Sequence, residues 1–214
     1  ALNSRETRYH FTYAQAELVA AQLEATKDKP DQSAFQAAVA RAADAVERAV
    51  TLDGNRPETF EQVADLAAFT EQVTNQDLSA LKDDAFAQAA ALEPTYPLHA
   101  IRRGQIALQR VDRLQAARDE VPEDQRASFE AELTRSLDGA VTQFRAAGQL
   151  KRSFTLSELG LALVLERRAK PEEALTAMET ILTRAGDDVD TWFEYARLLR
   201  LQKRTDDAIR RATS

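Results

Sequence analysis

Apolar residues recur along this chain at steps of three and four. Ala42, Val46, Ala49 and Val50 follow that step, as do Leu159, Ala162 and Leu163, with the polar Glu166 next on the same face. Period-two alternation does not persist over a strand length, so the pattern predicts helices and no sheet. Proline, glycine and short polar clusters cut the pattern into about ten segments. The spacing predicts helices over residues 4–25, 33–52, 57–73, 78–92, 97–120, 122–149, 153–168, 171–185, 189–202 and from 205 onward. Pro57, Pro97, Pro122 and Pro171 stand where a first-turn proline suits a helix start.

Composition strengthens this reading. The 214 residues include 40 alanines, about a fifth, with only 6 glycines and 6 prolines. Scarce glycine argues against phosphate-cradling loops and turn-rich sandwiches. With no cysteine, disulfides, thiolate nucleophiles and cysteine-based zinc sites are excluded. A net charge of −7 disfavours a general nucleic-acid surface. No run approaches the ~18 apolar residues of a membrane span.

The helices repeat. Ala140, Phe144 and Ala147 share offsets with Ala174, Met178 and Ile181, 34 residues later, and Ala208 lies another 34 on. Ala42, Val46 and Ala49 match, followed by Leu52-Asp53-Gly54-Asn55. Lys82, Phe86 and Ala89 match less closely, followed by Leu92-Glu93-Pro94. The anchors at 42, 82, 140, 174 and 208 are separated by 40, 58, 34 and 34 residues. About six extra residues therefore enter the second unit, at 74–79, and about twenty-four lengthen the third, around 114–129.

A 34-residue helical hairpin with these anchors resembles the tetratricopeptide-repeat (TPR) family. Trp192, Tyr195, Ala196 and Leu199 stand at that family's first-helix spacing, as do Phe60, Val63 and Ala64, and Gly104 marks another close helix approach. The resemblance implies an all-α, right-handed TPR-like α-solenoid of about five hairpins, irregular in its N-terminal half. It implies a single repeat domain over 1–214, with hairpins at 1–55, 56–94, 95–152, 153–187 and 188–214, the first long and the last cut short. One such unit cannot bury its own apolar face, so stacking supplies the core. A narrower likeness is to the TPR tails of bacterial O-antigen ligase-like or polymerase-like membrane proteins. It rests on Tyr9-His10-Phe11-Thr12-Tyr13 and on residues 42–55 and 85–97.

Catalytic and metal chemistry find no constellation. His10 and His99 are 89 residues apart and share no ligand motif, and no serine sits in a nucleophile elbow. Glu172-Glu173, Asp187-Asp188 and Glu123-Asp124 each follow a helix boundary, where acidic side chains complement the positive helix end. The expectation is therefore no catalytic residue, no metal and no cofactor, and no enzyme activity of this segment. Arg102-Arg103 and Arg167-Arg168 read as solvated faces, without nucleic acid as a partner.

By the family's geometry, Phe193, Glu194, Arg197 and Arg200 turn toward a concave groove. Leu159, Leu163 and Arg167 do so in the preceding unit, and Ile101, Arg102 and Gln105 in the one before. Trp192 packs between helices. Arginine forks suit carboxylates, so the expected partner is a protein or peptide of acidic or mixed apolar and acidic character. The lysine and asparagine of the family's chaperone-tail clamp do not occur at these positions. Two functions are compatible: a protein-binding scaffold, or the accessory domain of a membrane-embedded glycan ligase or polymerase, with the chain tethered through upstream sequence. The polar start without Met and the end inside a helical pattern read as an excised piece, whose open apolar edge favours self-association.

Overall fold

The computed structural model describes residues 2–151 and 154–202, and among them every regular element is helical. The elements are α1 (Leu2–Ala25), α2 (Gln32–Asp53), α3 (Pro57–Thr74), α4 (Ser79–Leu92), α5 (Pro97–Ala117), α6 (Arg126–Leu150), α7 (Thr155–Arg167), α8 (Pro171–Arg184) and α9 (Val189–Leu201). The expected helix from 205, with its anchor Ala208, lies outside the described residues. The chain divides into two compact units, Ala1–His99 and Ala100–Ser214.

In the first unit, α1 pairs with α2, α3 pairs with α4, and α3 also packs on α1 and α2. Asp31 starts α2: its side chain accepts from the N–H groups of Ser33 and Ala34, two donors no helical carbonyl can reach. Alanines form much of the seam. Ala14, Leu18, Ala42 and Ala45 make one buried cluster, against which Val46, Leu66 and Phe69 pack. Small side chains there let α1 and α2 approach closely. Pro57 opens α3, and Asn75, at φ 55°, closes it by returning its N–H to Glu71 O at 2.8 Å.

The fourth helix carries an oddity. Lys82 occupies the position that alanine fills in the regular units, yet it is buried, with Nζ 2.5 Å from Glu71 Oε2. The other Glu71 oxygen accepts the Leu78 N–H at 3.1 Å. One carboxylate thus satisfies both the buried cation and the backbone of the α3–α4 connection.

In the second unit the anchors are buried as the repeat requires. Ala140, Phe144, Ala147, Ala174, Met178 and Ile181 all lie in the interior. The Phe144 ring occupies the gap between Gly104 on α5 and Gly160 on α7. A Cβ at Gly104 would lie 2.8 Å from the ring, and at Gly160 2.4 Å. Further along, Leu159, Ala162, Leu175, Met178, Tyr195, Leu198 and Leu199 form the core that joins α7, α8 and α9. Trp192 packs on its edge and donates Nε1–H to Gly186 O at 2.7 Å.

The lengthened third hairpin differs in detail from expectation. The fifth helix ends at Ala117 rather than 120, and Pro122 does not itself begin the next. Two short 3₁₀ turns, Arg118–Glu120 and Glu123–Gln125, intervene before α6 starts at Arg126. Pro122 is the cause: it holds Val121 extended (φ −76°, ψ 123°) and cannot supply an N–H. Two of the three acidic pairs sit at helix starts as expected, whereas Glu123 and Asp124 lie in the second 3₁₀ turn. Asp188 caps α9 through the Thr191 N–H at 3.1 Å, and Glu172 and Glu173 occupy the first turn of α8.

Candidate functional site

The ten expected groove residues all belong to α5, α7 and α9 within the second unit. They do not share one environment. Ile101 and Leu159 are 2% and 6% exposed and serve the core instead of a surface. Leu159 falls on the stripe of α7 that packs against α8, with Ala174 and Leu175 in the same cluster. Leu163 is half-buried and packs against the α7–α9 core. Arg102 and Gln105 are exposed on α5, where Arg102 Nη1 donates to Gln105 Oε1 at 3.2 Å. Phe193 stands 68% exposed on α9, with Arg200 also exposed on that helix.

Arg167, Arg197 and Glu194 belong to a row of charges that crosses the three helices. Asp112 on α5 receives Arg167 of α7 through two N–H groups, at 3.0 and 3.3 Å. Arg167 also donates to its neighbour Glu166 at 2.7 Å. Glu166 takes the two-pronged guanidinium of Arg197 on α9, at 3.0 and 2.6 Å. Arg197 finally reaches Glu194 at 2.6 Å. These paired forks hold the Arg197 guanidinium firmly in its charged form, with Glu166 the larger cause. Three carboxylates therefore meet two guanidiniums, and neither Arg167 nor Arg197 is a spare fork for an incoming acid.

Asp112 and Glu166 escape a reading of single residues, but the repeat holds a signal for them. The two cross-helix pairs are separated by 55 and 31 residues. Each is three short of the anchor spacing, 58 and 34, at that point in the chain. A carboxylate and an arginine one repeat apart, less about one helical turn, meet across neighbouring first helices.

Arg168 pairs with Asp138, and Arg103 is engaged as well. His99 is buried between Glu61 and Glu93, at 3.6 and 3.7 Å, with the Tyr96 ring set edge-on at 4.9 Å. His10 lies on α1 beside Tyr9. Among the described residues no group of three histidines or carboxylates is arranged to hold a metal ion. No helix among them is long and apolar enough to cross a membrane.

No family model matches the chain, and no curated protein does. Solved structures do. A monomeric mutant of IFIT1, solved with Gppp-AAAA, is 18% identical with a TM-score of 0.59, over 82% of this chain and 37% of that one. This chain thus spans little more than a third of that relative. MamA is 13% identical with a TM-score of 0.50, over 86% of this chain and 90% of its own. At such identities the likeness speaks for the fold alone. It does not support the narrower kinship with O-antigen ligase tails. The fold itself is all-α and TPR-like, a solenoid of helical hairpins.

Proposed function

We propose that the chain is a protein- or peptide-binding scaffold whose contact face is carried by α5, α7 and α9. The observation behind this reading is an aromatic ring presented to solvent, Phe193, on a helix tied to its neighbours by a continuous row of ion pairs. Exposed rings anchor interfaces because they bury a large area with few rotors. The row of charges holds the helices in register, so that the face is formed before a partner arrives. In this reading the chain binds and does not catalyse. The partner is a segment with an apolar residue to meet Phe193 and a carboxylate to meet Arg200 or Arg102.

Replacing Phe193 by a photo-crosslinking phenylalanine in the native cell should give one dominant protein adduct, which Arg200→Glu diminishes. The same probe at Glu120, on the α5–α6 connection, should give none of it. Equal labelling from both positions would defeat the proposal. Arg197→Glu is not a suitable probe of this face. It sets a third carboxylate against Glu166 and Glu194, and so disturbs α9 as well as any partner.

A further inference from the structure

The first unit holds an opening that the exposed Phe193 and the charge row of the second unit do not explain. The second helix packs on α1 and α3, and α4 packs on α3. Between α2 and α4, above α3, an open trench of about 580 Å³ remains. Its walls are apolar: Val46 and Val50 from α2, Phe60 from α3, Leu78 and Leu81 at the start of α4. Leu81 is 47% exposed, a large aliphatic side chain presented to water at the lip. Apolar concavities of this size are where partner segments and ligands bury their apolar surface.

The lip decides what fits. The charged residues that line the trench are Glu47 on α2 and Asp84 on α4, both acidic and on opposite walls. An anionic lipid or fatty acid would place its head group against like charge. Two copies of this chain, each of net charge −7, would bring acidic lips together. A segment with an apolar face and basic flanks meets both the walls and the lip. The length fits a helix: the α2 wall runs from Val39 to Thr51, about 18 Å at 1.5 Å per residue, or some three turns.

We propose that the α2–α4 trench of the first unit docks the apolar face of a basic-flanked amphipathic helix from a partner protein. The mode is helix-in-groove, with anchors at helical spacing inserted between Val46 and Leu81 and lysines or arginines beside Glu47 and Asp84.

The test uses the whole 214-residue chain. The probe is a fluorescent 18-residue amphipathic peptide with a leucine face and lysine flanks, titrated by anisotropy. Leu81→Asp should weaken binding at least tenfold, as should Glu47→Lys with Asp84→Lys. Glu120→Lys with Asp124→Lys, the same charge change in the second unit, should alter it less than twofold. A leucine–glutamate peptide and palmitate should fail to compete. Far-UV circular dichroism of each variant establishes that it is folded. Equal loss from both charge reversals would mean unspecific attraction to an acidic protein and would overturn the proposal. So would displacement of the peptide by palmitate, which marks a lipid site. So would a dimer at sedimentation equilibrium that Leu81→Asp dissociates, which marks a second copy as the occupant.

Discussion

At the scale of single residues, two kinds of position carry the fold. The first is glycine beside the Phe144 ring. A methyl group at Gly160 would meet ring carbons at 2.4 Å, far inside contact distance, and one at Gly104 would meet the same ring at 2.8 Å. Gly160→Ala should therefore cost about 1–3 kcal/mol by overpacking, read from urea unfolding. Adding Phe144→Leu should return part of that loss, and strict additivity of the two substitutions would contradict the account. The second is Lys82. Removing its partner leaves a buried cation, whereas removing the lysine leaves a carboxylate that still binds the Leu78 N–H. Glu71→Ala should then cost about 3 kcal/mol, with Lys82→Met closer to neutral. The reverse order of melting temperatures would show that the lysine is not held this way. Sequence alone flags Lys82 only as a poor match to an alanine position. Its burial depends on a glutamate from another helix, which no local pattern contains.

Among the elements, starts and stops were the most legible feature, because each has a local chemical cause. Pro57 and Pro171 open helices, Asp31 and Asp188 cap them, and the expected ends lie within a few residues of those observed. The α5–α6 connection was less legible, since two competing 3₁₀ turns leave no distinct apolar period. The α7 end hides in another way: Ala169 takes φ 57°, a conformation alanine does not advertise. Pairing between elements supplies a pH effect. Glu17 on α1 is held below the usual glutamate value near 4.5, first by Arg41 of α2 and then by the Tyr13 hydroxyl. A carboxyl whose affinity for protons is lowered by folding stabilises the folded state above its unfolded pKa. That contribution disappears as pH falls through the lowered value. Arg41→Gln should thus lower the melting temperature at pH 7, and the difference from wild type should close in acid, once Glu17 is protonated in both folded and unfolded chains. A gap that persists there would assign the effect to packing of the arginine stem.

For the whole molecule, the repeat told more than the composition did. Forty alanines in 214 residues promised helices. The 34-residue register promised which alanines are buried: Ala42, Ala49, Ala140, Ala147 and Ala174 are all interior. The candidate faces were only half legible. Phe193 could be named from its offset as a groove candidate, and its ring is exposed on α9. The charge row needs partners 31 and 55 residues apart, and the trench arises from a gap between α2 and α4 that is a property of packing, not of either helix. In a chain built from hairpins that lean mainly on their neighbours, damage stays near its source. Native-state hydrogen exchange of Gly160→Ala should therefore show protection lost in α6 and α7 while α1 and α2 keep theirs. Uniform loss along the chain would mean that the protein unfolds as one cooperative body.

The Phe144 ring is fully buried, with glycines of two other helices against it. A benzene ring can turn about its own axis only when the atoms packed against it give way. Gly104 of α5 and Gly160 of α7 both crowd the same ring carbons, so a turn of this ring about its own axis needs room from two helices. The exchange rate of the Phe144 ring resonances should therefore report how tightly α5 and α7 close on α6, and a fast-flipping ring would show that the contact is looser than the geometry implies.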